Sequence, residues 1–260
     1  MCTIIAKKFP NIGWIGLKNR DRPAATNTEL LRDEVNGIQR VSLVDELTRW
    51  SEGMNSNSVS IISSSLNQTV GGSEVHLSKD GLKIREALEQ ATVEKAVNSL
   101  KKHRVVGCVM VFDAEQLWLI EGQPGTHDQV AKRIADPWIA RTNHGIWLPH
   151  AGYQKNSDNN ILKMRRISSE ARLDIARYIL QTVKKPADLM PLMAKKWTDN
   201  PQVTTLRYPT SEIDTRTTEQ LMLDPKNKMI LIRNTNGVLE FDQNNANPSG
   251  SKVQVGIVDL

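Results

Sequence analysis

The chain has 260 residues and 39% hydrophobic content, enough for one sizeable core and a single domain over 1–260. No stretch approaches the roughly 18 uninterrupted apolar residues of a membrane helix. Net charge is +5, from 34 Lys and Arg against 29 Asp and Glu, with only 5% aromatics, so stacking platforms for nucleic acid are poorly supplied.

From the amino terminus, Thr3–Ala6 and Trp14–Leu17 read as two strands joined at Asn11-Ile12-Gly13, an Asn/Gly hairpin. Residues 24–40 are polar and read as loop, and Ser42-Leu43-Val44-Asp45-Glu46-Leu47 carries a helix-start signature. Val59–Leu66 is β-branched and reads as a strand. Lys83–Lys102 has helical spacing at Ile84, Ala87, Leu88 and Ala91, with Thr92 capping a second helix inside it. Arg104–Phe112 and Gln116–Glu121 form a second hairpin, and Trp138–Thr142 a short strand. Ser168–Val183 reads as a helix with Ser168 or Ser169 as N-cap, and Leu189–Trp197 as a shorter one. Thr217–Leu223 and Met229–Arg233 flank a third turn, and 243–251 is a loop. Hairpins, inserted helices and hairpins again predict an α+β layer fold.

The amino terminus, MCTIIAKKFP, places two lysines after three apolar residues, too early for a signal peptide. A cytoplasmic location is expected. Cys2 and Cys108 are too few and too distant for a zinc site or a disulfide framework. A single bridge between them stays open, with free thiols favoured in a reducing compartment.

Cys2 is the candidate nucleophile; a Met-Cys start by itself more often has no catalytic meaning, and the residues that accompany it carry the reading. Its side chain is small, so Met1 removal is expected, leaving Cys2 as the amino terminus. An α-amine titrating near 7.7–8.0 beside a thiol near 8.5 puts base and nucleophile on one residue. Asp21 could hold that amine, and Lys18 or Arg20 could favour thiolate; the alternative is a surface charge cluster closing the hairpin. Arg20 is expected on the strand face opposite Lys18. Asn67 and Asn143 could donate to an oxyanion or serve as turn residues. Arg172, one turn into its helix, faces either a site or solvent. Cys108, inside an apolar strand, reads as an inert core thiol. His144 reads as a hydrogen-bonded structural residue, since no second ligand sits at metal spacing. Met54, Trp138, Trp147 and Leu148 are either acyl-pocket walls or ordinary core.

Six pieces occur in order: Met1-Cys2-Thr3, Lys18-Asn19-Arg20-Asp21, Glu52-Gly53-Met54-Asn55, Ser64-Ser65-Leu66-Asn67, Arg141-Thr142-Asn143-His144 and Ser168-Ser169-Glu170-Ala171-Arg172. In this the chain resembles the cysteine Ntn-hydrolases of the linear-amide group. That group includes choloylglycine hydrolases, penicillin V acylases and relatives of acyl-CoA:6-aminopenicillanate acyltransferase. The resemblance implies a four-layer αββα sandwich with two antiparallel sheets. It implies Cys2 as nucleophile and its amine as base, Asp21 orienting that amine, Asn67 and Asn143 around the carbonyl oxygen, and Arg172 supporting the network. The family usually has arginine where this chain has Lys18, and lysine lacks the planar fork. The implied activity is hydrolysis of a small-molecule linear amide through a Cys2 thioester. Acyl transfer to an amine and a non-catalytic binding role are the alternatives. No cofactor and no metal are required, no nucleic-acid or membrane partner is expected, and homo-oligomer formation stays open.

Overall fold

The computed structural model describes residues 2–22, 28–46, 49–66, 74–126, 128–200, 203–207, 216–234 and 252–256. Two antiparallel sheets dominate it. The six-stranded sheet is built from β1 (Cys2–Phe9), β2 (Gly13–Arg22), β10 (Trp138–Arg141), β11 (Arg216–Asp224), β12 (Met229–Asn234) and β13 (Lys252–Gly256), in the order β10-β1-β2-β11-β12-β13. The seven-stranded sheet runs in chain order through β3 (Thr28–Val35), β4 (Ile38–Asp45), β5 (Ser51–Asn55), β6 (Ser60–Ser64), β7 (Gly107–Phe112), β8 (Leu117–Gly122) and β9 (Gln129–Arg133). The helices are α1 (Glu74–Ala87), α2 (Val93–Lys102), α3 (Asn160–Thr182) and α4 (Leu189–Ala194).

Three apolar clusters define the layers. Ile4, Ala6 and Trp14 of the first sheet meet Val41, Met54, Ile62, Met110 and Phe112 of the second. Ile5, Ile15 and Leu17, on the other face of the first sheet, pack against Leu173, Ala176, Ile179 and Leu180 of α3. Ile61, Val109 and Ile120, on the outer face of the second sheet, pack against Ile84, Leu88, Val97 and Leu100 of α1, α2 and the segment between them. Period-2 alternation makes this possible: successive strand residues serve opposite layers, and each buried Ile or Leu contributes about 1.5–3 kcal/mol. The sheets approach closely at Gly16, where an added Cβ would stand 2.3 Å from Phe112 Cζ. The order helix, sheet, sheet, helix is the αββα sandwich that the resemblance implied.

The hairpins around 11–13, 113–116 and 224–228 and the helix break capped by Thr92 stand where the sequence placed them; Thr92 Oγ1 accepts from Lys95 N–H at 3.3 Å. Two stretches need correction. The stretch read as loop over 24–40 and helix start over 42–47 contains the β3–β4 hairpin, with Ser42–Asp45 inside β4. Its turn is Asn36-Gly37, both at positive φ (54° and 76°), the pair a tight type I′ hairpin demands. The polar composition of β3 hid it: every second residue of this edge strand is exposed. The helix read from Ser168 starts eight residues earlier, with Asn159 as N-cap accepting from Ile161 and Leu162 N–H. The loop expected over 243–251 lies outside the described residues.

Candidate active site

Cys2 begins β1 and is 2% exposed. It pairs with Arg20 across β2. On its other side Ile4 pairs with Arg141 of β10, and two more residues of that antiparallel register bring Asn143 level with Cys2. Three distant segments thus converge on one backbone position because they are neighbouring strands. Cys2 shares its face with Ile4 and Ala6, which points its thiol into the space between the sheets; Thr3 points toward α3.

On the α3 side, the Cys2 nitrogen donates to Asn143 Oδ1 at 3.1 Å. The same oxygen accepts from Arg172 Nη2 at 3.0 Å. Arg172 Nη1 reaches the Cys2 carbonyl at 3.3 Å and Thr3 Oγ1 at 3.1 Å, and stands 3.7 Å from Asp21 Oδ2. Asp21 Oδ1 accepts from Thr217 Oγ1 at 2.7 Å. Arg172 is fully buried, so its guanidinium fork ties helix, nucleophile backbone and Asp21 together in a medium where charge-assisted bonds are strong. Asn143 is itself fixed: its Nδ2 donates to the Ser65 carbonyl at 2.8 Å and its N–H to Ser169 Oγ at 2.9 Å. Expected to donate to an oxyanion, Asn143 here turns its acceptor oxygen to the Cys2 nitrogen.

The inter-sheet side is charged. Lys18 is bonded to Glu52, both fully buried. Arg20 lies 3.9 Å from Glu52 and 3.8 Å from Asp45, and Arg22 bonds Asp45 at 2.9 Å. Arg20 was expected opposite Lys18. Instead both reach Glu52, because residues two apart on a strand share a face; it is Asn19 and Asp21 that face the helical side, Asn19 bonding the Met193 and Thr205 carbonyls and Asp21 lying beside Arg172 of α3. Burial pushes the Cys2 thiol up, but positive charge led by Lys18 and including Arg22 outweighs it, and the net direction is downward. Glu52 behaves in the same way: burial raises its carboxyl, and Lys18, Arg20 and Arg22 hold it below its ordinary value.

After Asn143 the chain folds back on itself, with Gly145 N–H bonded to the Ala151 carbonyl and Tyr153 N–H to that of Asn143. A buried carboxylate anchors this loop: Glu121 Oε2 accepts from the N–H groups of Ile146, Trp147 and Leu148 at 3.0, 2.8 and 3.2 Å, while Oε1 bonds Arg141 at 2.9 Å. Gly152, at φ +74°, has no room for a Cβ, which would meet the Asn143 carbonyl at 2.4 Å. His144 Nδ1 lies 2.8 Å from Ser169 Oγ. Burial, then the neighbouring Arg166, lowers its pKa from 6.5 to about 4. The unfolded chain therefore binds this proton more readily than the folded one. The stabilisation is complete above pH 6.5 and is lost as pH falls through 4. After discounting for partial solvation, the loss is on the order of 2 kcal/mol. His144→Asn should flatten the pH dependence of denaturant stability between pH 7 and 4; an unchanged slope would contradict it.

Of the expected site residues, Cys2, Lys18, Arg20, Asp21, Asn143 and Arg172 come together, and Asn67 lies outside the described residues. Cys108 is a free, fully buried thiol whose pKa is raised by burial and by Glu121. Met54, Trp147 and Leu148 belong to the inter-sheet core, whereas Trp138 packs on the α3 side, so the four do not line one pocket. Ser168 and Ser169 are mid-helix rather than capping. Sequence reasoning missed the contributions of Glu52, Arg22, Ser169 and Thr217. Glu52 stood in a quoted segment, yet nothing local distinguishes it from a surface glutamate.

Fold and site together define a four-layer αββα protein with a buried cysteine whose nitrogen and carbonyl are both bound by side chains. Among the solved structures to which the chain is similar are an acylase and a hydrolase. One is a penicillin V acylase from Agrobacterium tumefaciens, 14% identical over 90% of this chain and 83% of that chain, with a TM-score of 0.49. The other is a mutant conjugated bile acid hydrolase from Clostridium perfringens, 9% identical over 97% of this chain and 96% of that chain, also at 0.49. No protein-family model and no curated protein matches the sequence.

Proposed function

We propose that this protein is an N-terminal-nucleophile amidohydrolase, cleaving a small linear amide through a thioester on Cys2 after Met1 is removed. The observation that carries this function is the double hold on Cys2: Asn143 Oδ1 at its nitrogen and Arg172 at its carbonyl. Its thiol meanwhile sits in the field of Lys18 and Arg22. Once Met1 is gone, the nitrogen that faces Asn143 is the α-amine. That amine takes the thiol proton as sulfur attacks the amide carbonyl. The proton passes to the departing amine as the C–N bond breaks, leaving the acyl group on sulfur. Water then adds to the thioester, giving up its proton to the α-amine, and the C–S bond breaks to release the acid and restore the thiol. Asn143 and Arg172 keep the amine oriented throughout, and Asp21 acts through Arg172.

The test is intact mass before and after treatment with a β-lactone. Loss of the Met1 mass and a single adduct mapped to Cys2 are expected. Met1 retained with no adduct would overturn the proposal and favour a binding role.

A further inference from the structure

The inter-sheet side of the site holds more charge than a nucleophile and its base require. Lys18 lies diagonal to Cys2 on one face of the β1–β2 pair, a separation that long side chains reach across. Its ammonium is committed to Glu52 Oε1. Glu52 is fixed in turn: Ser63 Oγ donates to Oε1 at 2.8 Å, and Ser63 also takes the Trp50 indole N–H. Glu52 Oε2, by contrast, accepts no hydrogen bond from the described residues, nor do Arg20 Nε and Nη1 make one; Nε and Oε2 stand 3.9 Å apart. A pair optimised for stability would not leave these atoms short, and burying an ion pair is in any case weak stabilisation.

We propose that Glu52 is a positioning residue for Cys2: it competes with the Cys2 sulfur for the ammonium of Lys18, and so keeps the sulfur from being locked as a tightly paired, unreactive thiolate. The inference rests on Cys2 being the nucleophile. The other charges facing this group are Arg20 and Arg22 from β2, Asp45 from β4 and, beside Arg20, Glu219 from β11. Asp21 and Arg172 lie across the sheet. Without the Glu52 carboxylate, three cations face Asp45 and Glu219. The positive potential at the sulfur rises, thiolate forms at lower pH, and its intrinsic nucleophilicity falls.

The experiment is the pH dependence of iodoacetamide alkylation at Cys2, read by mapped adduct mass, which needs no substrate. The wild-type midpoint is expected below the ordinary cysteine value near 8.5. Glu52→Gln should lower it by about a further unit, while the plateau rate at high pH falls roughly threefold. Glu52→Asp, which keeps the charge but withdraws it by one methylene, should move it the same way by less, and carries the test if the glutamine variant does not fold. Lys18→Met should raise it. A lowered wild-type midpoint that neither Glu52 variant moves overturns this inference alone. A wild-type Cys2 that does not react removes the proposed nucleophile as well.

Discussion

Cys2→Ala is expected to abolish β-lactone labelling and to reduce amide turnover by on the order of 10⁴-fold or more, since the sulfur that carries the acyl intermediate is gone. Cys108 cannot substitute. It is fully buried between the sheets, and its thiol is pushed up by burial and by Glu121. The same variant should leave unfolding free energy within about 1 kcal/mol of wild type, because only a small buried sulfur is lost. Activity retained by a stably folded Cys2→Ala protein would end the proposed mechanism.

Arg172→Ala is expected to have the largest effect on stability. It removes one donor from four groups at once: the carbonyls of Cys2 and Ser168, Thr3 Oγ1 and Asn143 Oδ1. It also leaves the buried Asp21 carboxylate without the guanidinium beside it. Breaking a buried pair from one side costs about 3–5 kcal/mol, or roughly 10 °C in Tm for a chain of this size. Adding Asp21→Asn should recover part of the loss, because the carboxylate that has lost one of its two facing guanidinium groups, Arg172 but not Arg207, goes with it. Denaturant titrations of the single and double variants measure this. A double variant no more stable than Arg172→Ala would mean that the fork acts through its hydrogen bonds alone.

The effects at Arg172 were foreseeable only in part from the sequence. The sequence places Arg172 one turn into a helix, facing either a site or solvent. In fact α3 begins at Asn160, so Arg172 lies mid-helix, with Ser168 and Ser169 buried beside it. The serines read as caps because serine favours helix starts. Their burial against the Asn143 loop is a tertiary fact with no local signature. The β3–β4 hairpin is hidden for a similar reason: an edge strand with one exposed face has the composition of a loop, and only the Asn36-Gly37 pair marks its turn.

What the sequence determined by itself was periodicity and punctuation. It specified the 11–13, 113–116 and 224–228 turns, the Thr92 cap, the apolar faces of α2 and α3, and the cysteine directly after Met1, because each depends on neighbours a few residues away. Tertiary structure decided the rest. Strand order puts Asn143 beside Cys2 and Thr217 beside Asp21. The packing of one sheet on the other then carries Glu52 to Lys18. These meetings depend on which strands pair and on how two pleated faces stack, and no local pattern encodes that. A buried cation such as Lys18 or Arg20 looks, in the sequence, the same as one in water; only the fold shows which carboxylate it must find.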